Sequence, residues 1–243
     1  MCVVSKKMNV SAVIVAAGKG ERLGRKKQFL RLADKPLLYW TLEKFQEVKL
    51  VKEIVLVLPR EDIAKQEKMI RGKFTKIKKI VPGGKLRQES VFNGLKKVDL
   101  KFPFVAIHDG VRPLVGEELI YQTLRVAQKY GAGVAALPVK ETIKMVSLKN
   151  NVQSTLPREK IWATQTPQVF RREIIIHAHQ KAKEDKFIGT DDAQLVERMG
   201  FKVKLVPGEY TNIKITTPED LLFAETILSQ RTQNTRKERK KVI

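Results

Sequence analysis

Two glycines and two cations follow an apolar run near the start of the chain. The run 13–17, VIVAA, leads into Gly18 and Gly20, and Arg22 and Lys27 come shortly after. Glycines can aim successive backbone N–H groups at phosphate oxygens, and cations can close over the same oxygens. The pattern predicts a strand that delivers a phosphate-binding loop, although an ordinary strand-to-helix turn with solvated cations fits this segment equally well.

The loop departs from two common phosphate-binding motifs. The dinucleotide fingerprint G-x-G-x-x-G requires a third glycine at position 23, where the chain has Leu23. The P-loop requires Gly-Lys-Ser/Thr, whereas Gly20 is followed by Glu21 and Arg22. These mismatches exclude both motifs at this place, so the chemistry has to be inferred from other segments as well.

Few side chains have the reactivity needed for covalent catalysis. The chain has three histidines, His108, His177 and His179, and no Ser-His or Cys-His signature accompanies them. We interpret His108 as a hydrogen-bonded residue at the end of a strand rather than as a base. The acid pair at 191–192 could bind a metal, but its place directly before AQLVERM favours a helix N-cap with an acidic first turn.

The charge balance is strongly basic. Lys and Arg total 48 against 26 Asp and Glu, which gives a formal net charge of +22. Such an excess is typical of proteins that bind nucleic acid, anionic membranes or small anionic ligands. Aromatic residues do not interleave the basic runs, as they would on a surface that stacks nucleic-acid bases. We therefore favour small anionic ligands and expect no nucleic-acid partner.

Cysteine and hydropathy patterns indicate the compartment. Cys2 is the single cysteine, so no intrachain disulfide can form, and a reducing compartment is expected. Neither the opening MCVVSKKMNV nor the apolar run 12–17 is long enough for a signal peptide or a membrane span. We therefore expect a cytoplasmic protein that does not bind a membrane.

Apolar runs alternate with segments of helical periodicity along most of the 243 residues. This alternation is typical of an α/β fold in which helices flank a mostly parallel sheet. The predicted strands are VSAVIVAA, EIVLVLP, KKIVPG, PFVAIHD, AGVAALPV and KVKLVPG, and the predicted helices are 36–48, 63–71, 88–98, 117–129, 173–184, 191–199 and 218–228.

One segment breaks the alternation. Residues 142–170 combine alternating polar and apolar positions with a Lys149-Asn150-Asn151 turn signal, which predicts a projecting β-arm that packs against another surface such as a second subunit. The basic end of the chain, 230–243, predicts a flexible tail. We therefore expect a single domain over residues 8–229, with the arm at about 142–170.

Seven segments, in order between residues 16 and 225, resemble one family of nucleotidyltransferases. The first, AAGKGERLG followed by KKQ, is similar to the glycine-rich loop of nucleotidyltransferases in general. The other six resemble the 2-C-methyl-D-erythritol 4-phosphate cytidylyltransferase family, and they are GGKLRQESVFNGL, HDGVRP, PVKETIK, WATQTPQVF, GTDDAQLVE and NIKITTPEDL.

The resemblance implies a fold, an activity and partners. The implied fold is a Rossmann-like α/β domain whose β-arm forms a homodimer. The implied reaction joins CTP to 2-C-methyl-D-erythritol 4-phosphate and releases pyrophosphate, in the non-mevalonate route to isoprenoids. Mg²⁺ held mainly by the CTP phosphates is the implied cofactor, and no metal-ligating side chain is assigned.

The resemblance also implies roles for individual residues. Arg22 and Lys27 would grip the CTP phosphates, and Lys214 would stabilise the five-coordinate phosphorus. Arg158 would reach from the arm into the site of the neighbouring subunit and pair with the substrate phosphate. The nucleotide would contact Ala16, Ala17, Gly18, Gly84 and Ser90. The polyol phosphate would contact Asp109, Arg112, Thr142, Thr166 and Thr190.

Two other functions stay open. A ribitol-5-phosphate cytidylyltransferase would share the CTP half of the site, and the segments TDD and PVKETIK favour methylerythritol phosphate without deciding the matter. A basic nucleic-acid-binding protein would explain the net charge of +22 but not the ordered motifs.

Overall fold

A mostly parallel sheet forms the centre of the fold. The computed structural model describes residues 8–18, 20 and 26–240, with side chains described up to residue 233. The strands, in chain order, are β1 (Val10–Val15), β2 (Arg31–Leu32), β3 (Lys35–Pro36), β4 (Val51–Leu58), β5 (Ile77–Pro82), β6 (Phe104–Asp109), β7 (Ala132–Pro138), β8 (Lys144–Val146), β9 (Val152–Thr155), β10 (Trp162–Arg171) and β11 (Lys204–Pro207). In the described residues, seven strands form the main sheet in the order β11-β7-β10-β6-β1-β4-β5, while β2-β3 and β8-β9 are separate pairs.

Helices cover both faces of this sheet. They are α1 (Leu37–Glu47), α2 (Ile63–Lys73), α3 (Arg87–Leu95), α4 (Glu117–Tyr130), α5 (Arg172–Glu184), α6 (Asp192–Arg198) and α7 (Pro218–Lys240). Alternate residues of β1 point to opposite faces, so Ala12 and Ile14 pack with α1, α2 and α4, whereas Val13 packs with α3, α5 and α6. These layers confirm the predicted fold class, and the predicted strands and most helix ends agree with the observed ones within a few residues.

The carboxyl ends of β1, β4, β5 and β6 meet at one edge of the sheet, which we call the carboxyl edge. β1 pairs in parallel with both β4 and β6, and Val15 lies opposite Asp109 in that register. The N–H of Gly110 donates to the carbonyl of Val15 at 2.8 Å. A Cβ on Gly110 would lie only 2.8 Å from that of Ala16, so glycine permits the close approach of the two strand ends. The chain segments that leave these strands are thereby brought together.

The predicted arm is shorter than 142–170. Only the β8-β9 pair is separate from the main sheet, because β10 lies antiparallel between β6 and β7. The polar residues of β10 concealed this placement. Gln168, which is buried, donates to Asp191 Oδ2 at 2.8 Å, and buried Gln165 donates to the carbonyl of Glu209 at 3.0 Å. Because its polar groups are paired inside the protein, this segment can occupy the sheet without an apolar pattern.

Helix α7 extends beyond its predicted end at about residue 228 and reaches Lys240. Residues 229–240 contain neither glycine nor proline and are rich in Gln, Arg, Lys and Glu, which favour helix, so nothing in this stretch stops the helix. The predicted boundary at residue 230 therefore falls inside α7, while the flexibility of this basic end stays a prediction; residues 241–243 lie outside the described part. Among the described residues, no helix is long and apolar enough to cross a membrane.

Candidate active site

A cleft of about 430 Å³ opens at the carboxyl edge of the sheet. Small-molecule sites in proteins commonly measure roughly 300–1,000 Å³. Eight of the residues predicted from sequence line this cleft, namely Ala16, Ala17, Gly18, Lys27, Gly84, Ser90, Asp109 and Lys214. Residues almost two hundred positions apart in the chain therefore face one space, as expected for ligand sites at the carboxyl ends of parallel strands.

Small residues pack two loops into one wall of the cleft. A Cβ on Gly83 would overlap the Cβ of Ala17, so only glycine lets the loop after β5 approach the loop after β1 so closely. The N–H of Gly84 donates to the hydroxyl of Ser90 at 3.0 Å, and this hydroxyl donates to the carbonyl of Leu86 at 3.0 Å. These bonds fix the start of α3, and the wall is formed largely by backbone and small side chains.

A short 3-10 helix, Lys27–Phe29, places Lys27 at the cleft. The Lys27 side chain is 9% exposed, and its Nζ donates to the carbonyl of Thr216 at 3.1 Å. The neighbouring Gln28 donates to the carbonyl of Gly18 at 3.2 Å. These contacts tie the 3-10 helix to the glycine loop through Gln28 and to the segment before α7 through Lys27, so the ammonium of Lys27 is held at the carbonyl of Thr216, another residue of the cleft.

Asp109 lies at the end of β6 among three cations. Its Oδ2 is 3.0 Å from Lys214 Nζ and 3.4 Å from Arg112 Nε, and its Oδ1 is 3.1 Å from Arg87 Nε. Burial by itself raises the pKa of Asp109, but the charges of Arg87, Lys214 and Arg112 outweigh burial and hold this pKa well below its usual range. Asp109 is therefore an anion at neutral pH and fixes the position of the cations around it.

The residues beneath Asp109 form a directed hydrogen-bond chain. The N–H of Asp109 donates to Thr166 Oγ1 at 3.1 Å, which lies 3.0 Å from His108 Nδ1, and His108 Nε2 lies 3.2 Å from the carbonyl of Arg112. A carbonyl can only accept, so Nε2 carries the proton and Nδ1 accepts from the threonine hydroxyl. Burial lowers the pKa of His108 to about 4. His108 is thus neutral and fully bonded, which agrees with its interpretation as a structural strand-end residue.

Arg87 joins Asp109 to a second buried carboxylate. Its Nη1 donates to Asp192 Oδ2 at 2.8 Å, and Asp192 Oδ1 lies 3.1 Å from His179 Nε2. Sequence reasoning assigned no role to Arg87, although it begins a helix three residues after the second glycine in GGKLRQESVFNGL. Its partners are 22 and 105 residues away, so no local spacing could indicate the pairing. The buried chain His179-Asp192-Arg87-Asp109 therefore appears only in the folded protein.

The acid pair 191–192 divides into two different roles. Asp191 caps α6, because its Oδ1 accepts from the N–H of Gln194 at 2.9 Å, whereas Asp192 pairs with Arg87 inside the protein. This agrees with the interpretation of the segment as a helix N-cap. Within the described residues, no group of three or more His, Cys, Asp or Glu side chains is arranged to hold a metal ion.

Five predicted site residues that the structure describes are not among those that line the cleft. One of them, Thr166, lies beneath Asp109 and donates to His108. Thr142 and Arg158 lie next to the β8-β9 pair, and both are exposed. Exposed Thr190 donates to Gln194 Oε1 at 3.3 Å at the start of α6. Arg112 pairs with Asp109, which lines the cleft. The predicted Arg22 lies outside the described residues. One chain therefore assembles the predicted nucleotide side of the site more completely than the predicted polyol-phosphate side.

Comparisons with known proteins agree with this geometry. The sequence profile of the family described as 2-C-methyl-D-erythritol 4-phosphate cytidylyltransferase, IspD, matches residues 10–230. A protein of that name from Caldanaerobacter subterraneus subsp. tengcongensis is 50% identical over 225 residues, which cover 91% of this chain and 99% of the relative. A second, from Desulforamulus reducens, is 47% identical over 92% of this chain and 97% of its own length.

Solved structures show the same relationship. The crystal structure of 4-diphosphocytidyl-2C-methyl-D-erythritol synthase from Anaerococcus prevotii superposes with a TM-score of 0.82 at 36% identity, covering 91% of this chain and 98% of that one. The α/β fold and these relatives together identify a CTP-dependent nucleotidyltransferase. The chain belongs to the 2-C-methyl-D-erythritol 4-phosphate cytidylyltransferase family.

Proposed function

We propose that this chain transfers the cytidylyl group of CTP to 2-C-methyl-D-erythritol 4-phosphate and releases pyrophosphate, in the non-mevalonate route to isoprenoids. The observation that carries the proposal is the convergence of Lys27 and Lys214 on a cleft walled by glycines and alanines, in a chain of this family. The relatives named above carry this activity in their names. A cytoplasmic location stays a prediction from the single cysteine.

The nucleotide occupies the wall formed by Ala16, Ala17, Gly18, Gly84 and Ser90. Small side chains let a flat base come close to the backbone, whose N–H and C=O groups can then read the edge of the base. The hydroxyl of Ser90 accepts from the N–H of Gly84 and donates to the carbonyl of Leu86, and these two hydrogen bonds keep it at this wall. Because the loops are packed directly on each other, we expect a pyrimidine to fit and the larger purine bases to clash.

The reaction needs no side chain that accepts a proton. An oxygen of the polyol phosphate attacks the α-phosphorus of CTP, the new P–O bond forms, and the bond to the bridging oxygen breaks so that its electron pair leaves with pyrophosphate. A phosphate monoester has a second pKa of about 6, so it is mostly a dianion at neutral pH. The buried, fully bonded His108 is consistent with chemistry that uses no histidine base.

Charge is the main obstacle to the reaction. CTP brings about four negative charges and the monoester about two, and both have to be held in line while charge moves onto the leaving group. Lys27 grips the triphosphate, and Arg22 is proposed to do the same from the glycine loop. Lys214 stabilises the five-coordinate phosphorus, because Asp109 at 3.0 Å keeps its ammonium at the cleft. Fixed cations of this kind lower the barrier by stabilising the transition state.

Mg²⁺ fits this site as an ion that the triphosphate carries. Among the described lining residues, Asp109 is the one carboxylate, and its oxygens are engaged with cations. Mg²⁺ commonly takes one or two carboxylates together with phosphate oxygens and water, so Asp109 is the protein group that would stand beside it. When bound, the ion would neutralise part of the phosphate charge.

We further propose that two chains form a dimer through the β8-β9 hairpin. The hairpin exposes Met145, Val146, Leu148 and Val152, an apolar set that a second copy would cover. Arg158 lies three residues after β9, its side chain is 58% exposed, and its one hydrogen bond within the described residues, to the carbonyl of Lys140 at 3.2 Å, is at the surface, so we propose that it exchanges this bond for the substrate phosphate of a neighbouring subunit. Arg158, Thr142 and Thr190 would then complete the polyol-phosphate side of a shared site.

A pyrophosphate-release assay tests the proposed function. The assay compares CTP, ATP, GTP and UTP, each with 2-C-methyl-D-erythritol 4-phosphate or ribitol 5-phosphate, with and without Mg²⁺. We expect release only with CTP, methylerythritol phosphate and Mg²⁺ together. A higher kcat/KM with ribitol 5-phosphate would make the substrate assignment wrong. Tight, salt-sensitive DNA binding without nucleotidyl transfer would instead support the nucleic-acid-binding alternative.

A further inference from the structure

A second pocket of about 430 Å³ lies outside the active site, between α3, α5 and the segment after α5. We call it the α3-α5 pocket. Its apolar lining includes Phe92, Ala182, Phe187 and Ile188, and Ile188 is 66% exposed at the surface. Its cationic lining consists of Lys96, Lys183 and Lys186. An apolar interior with an ammonium-rich lining suits a small organic anion that has an apolar body.

The other polar groups of the pocket are already paired within the protein. Gln88 donates to the carbonyl of Phe187 at 3.0 Å and accepts from the N–H of Gly189 at 2.9 Å. Glu89 accepts from the N–H of Lys85 at 2.7 Å. Glu89 is also the one acid among the described lining residues, so little negative charge opposes an anion there.

His179 is the exception among these groups. It is 1% exposed, it forms part of the pocket wall, and within the described residues its Nδ1 has no hydrogen-bond partner. Leaving a buried polar atom unpaired is costly, and each such atom in a native protein calls for an explanation. The ring of Phe92, which also lines the pocket, stacks on that of His179 with 5.8 Å between the ring centroids.

The partner of the other ring nitrogen fixes the chemistry of Nδ1. Asp192 stays a carboxylate, because Arg87 and His179 lower its pKa in spite of its burial, so His179 Nε2 must carry a proton to donate to it. In a neutral ring Nδ1 can then only accept a hydrogen bond, so a ligand group that carries an O–H, such as the monoanion of a phosphate ester, can pair with it. The charged groups that line the pocket or contact His179 are Glu89, Lys96, Lys183, Lys186 and Asp192.

The pocket is connected to the active site by contiguous contacts. From His179 the chain runs through Asp192 and Arg87 to Asp109, with atom separations of 3.1, 2.8 and 3.1 Å. His179 and Arg87 share the carboxylate of Asp192, and Arg87 also holds Asp109, so a displacement of His179 changes the partners of Arg87. In addition, Leu86 lines both the pocket and the cleft. These contacts form a continuous route of charged partners between the pocket and the cleft.

We propose that the α3-α5 pocket is a second ligand site, which takes a small anion with an apolar body, and that His179 couples its occupancy to Asp109 in the active site. Binding at this pocket does not depend on the proposed function, whereas the effect on turnover does. The two parts are therefore measured separately, by a binding signal and by a rate.

Phenyl phosphate serves as the probe, with inorganic phosphate and phenol as matched controls for charge and for the ring alone. In protein labelled with ¹⁵N-histidine and saturated with the 4-diphosphocytidyl product, which occupies both the nucleotide and the polyol-phosphate sides of the active site, the imidazole signals of His108, His177 and His179 can be followed separately. We expect saturable movement of the His179 signals with phenyl phosphate and several-fold weaker effects with either control. Movement restricted to His108, or equal effects of inorganic phosphate, would overturn the proposal.

Two variants on one helix sharpen the test. Lys183→Gln removes a lining cation, whereas Lys181→Gln removes the same charge from a residue outside the lining that pairs with Asp185 at 3.0 Å. We expect Lys183→Gln to weaken phenyl phosphate binding several-fold and Lys181→Gln to leave it unchanged. Phenyl phosphate should also change kcat of the wild type but not of His179→Gln. Equal binding by both lysine variants, or binding without any change in turnover, would contradict the proposed coupled site.

Discussion

The cleft and the β8-β9 hairpin differ in how far a single chain completes them. Around the cleft, Asp109 is buried, and Arg87, Arg112 and Lys214 are already arranged on it. At the hairpin, by contrast, Arg158 is exposed and its nearest acid is Glu159 at 3.9 Å. Ion pairs at such exposed positions contribute little to fixing a side chain. The cleft is therefore preorganised within one chain, and the hairpin is not.

This difference indicates how the two substrates are handled. The nucleotide side has its loops locked by the packing of Gly83 on Ala17 and by the hydroxyl of Ser90. The polyol-phosphate side has Thr142 and Arg158 exposed and away from the cleft lining. A second subunit that supplies its hairpin would convert an incomplete site into a complete one. Experiments on Lys27 and on Arg158 separate these two halves.

Lys27→Ala should give the largest effect on the preorganised half. Removing a cation that acts on the transition state commonly lowers kcat by about a hundred- to a thousandfold. Steady-state pyrophosphate release measures this loss, and circular dichroism checks that the fold is kept. Lys26→Ala is the matched control, because Lys26 is the preceding residue and pairs with Asp62 and Glu61 instead of lining the cleft. Near-normal turnover of Lys27→Ala would remove this residue from the chemistry.

Arg158→Ala tests the incomplete half. We expect KM for the polyol phosphate to rise by about tenfold to a hundredfold, since a charge-assisted hydrogen bond contributes about 1.5–3 kcal/mol. The KM for CTP should change much less, because Arg158 lies outside the cleft lining. Arg125→Ala is a suitable control, because that side chain is 62% exposed and belongs to α4.

Mixed dimers of the two variants decide which subunit Arg158 serves. If it acts across the dimer, a dimer of one Lys27→Ala chain and one Arg158→Ala chain has one site with both residues intact. Random pairing makes half of the dimers mixed, each with one complete site of two, so co-expression should restore about a quarter of wild-type activity. The assay uses the polyol phosphate well below the raised KM of Arg158→Ala, so that sites lacking only Arg158 contribute little. If Arg158 acts within its own chain, no site is complete and activity stays low.

Sequence patterns predicted the helices and strands that position the site better than the pairings between its buried side chains. Helix α4 was indicated because Leu119, Ile120, Thr123, Leu124 and Ala127 repeat at helical spacing and all are buried. The carboxyl edge follows from the order of such elements. The pairing of Arg87 with Asp192 could not be predicted, because it joins residues 105 positions apart and depends on how α3 and α6 pack on the same face of the sheet.

Polar segments caused the errors. β10 was assigned to the arm because its buried Gln165, Thr166 and Gln168 give no apolar pattern, and their hydrogen-bond partners come from distant parts of the chain. The end of α7 was set too early because apolar residues become sparse after Leu228, although the residue types still favour helix. In neither place does the local spacing of apolar residues indicate the observed structure. Hydrogen bonds to distant residues determine the position of β10, and intrinsic helix propensity determines the end of α7.

The last prediction concerns the pH dependence of stability, and it distinguishes buried His108 beneath the cleft from a histidine at the surface. Burial lowers the pKa of His108 from 6.5 to about 4, so between these values the unfolded chain binds a proton that the folded protein does not. The free energy of unfolding therefore decreases as the pH falls through this window. The contribution of neutral His108 to stability is fully present above pH 6.5. At 1.36 kcal/mol per pKa unit, we expect a loss of about 2 kcal/mol in the free energy of unfolding between pH 7 and pH 5.

Urea unfolding at both pH values measures this loss, and two variants assign it. His108→Gln should reduce the pH dependence even if its stability at pH 7 is lower, since the titrating group is gone. His177→Gln should keep the full dependence, because His177 is exposed on α5. Should His108→Gln lose as much stability on acidification as the wild type, the proton would bind elsewhere. The conclusion that His108 is neutral in the folded protein and accepts from Thr166 beneath Asp109 would then be wrong.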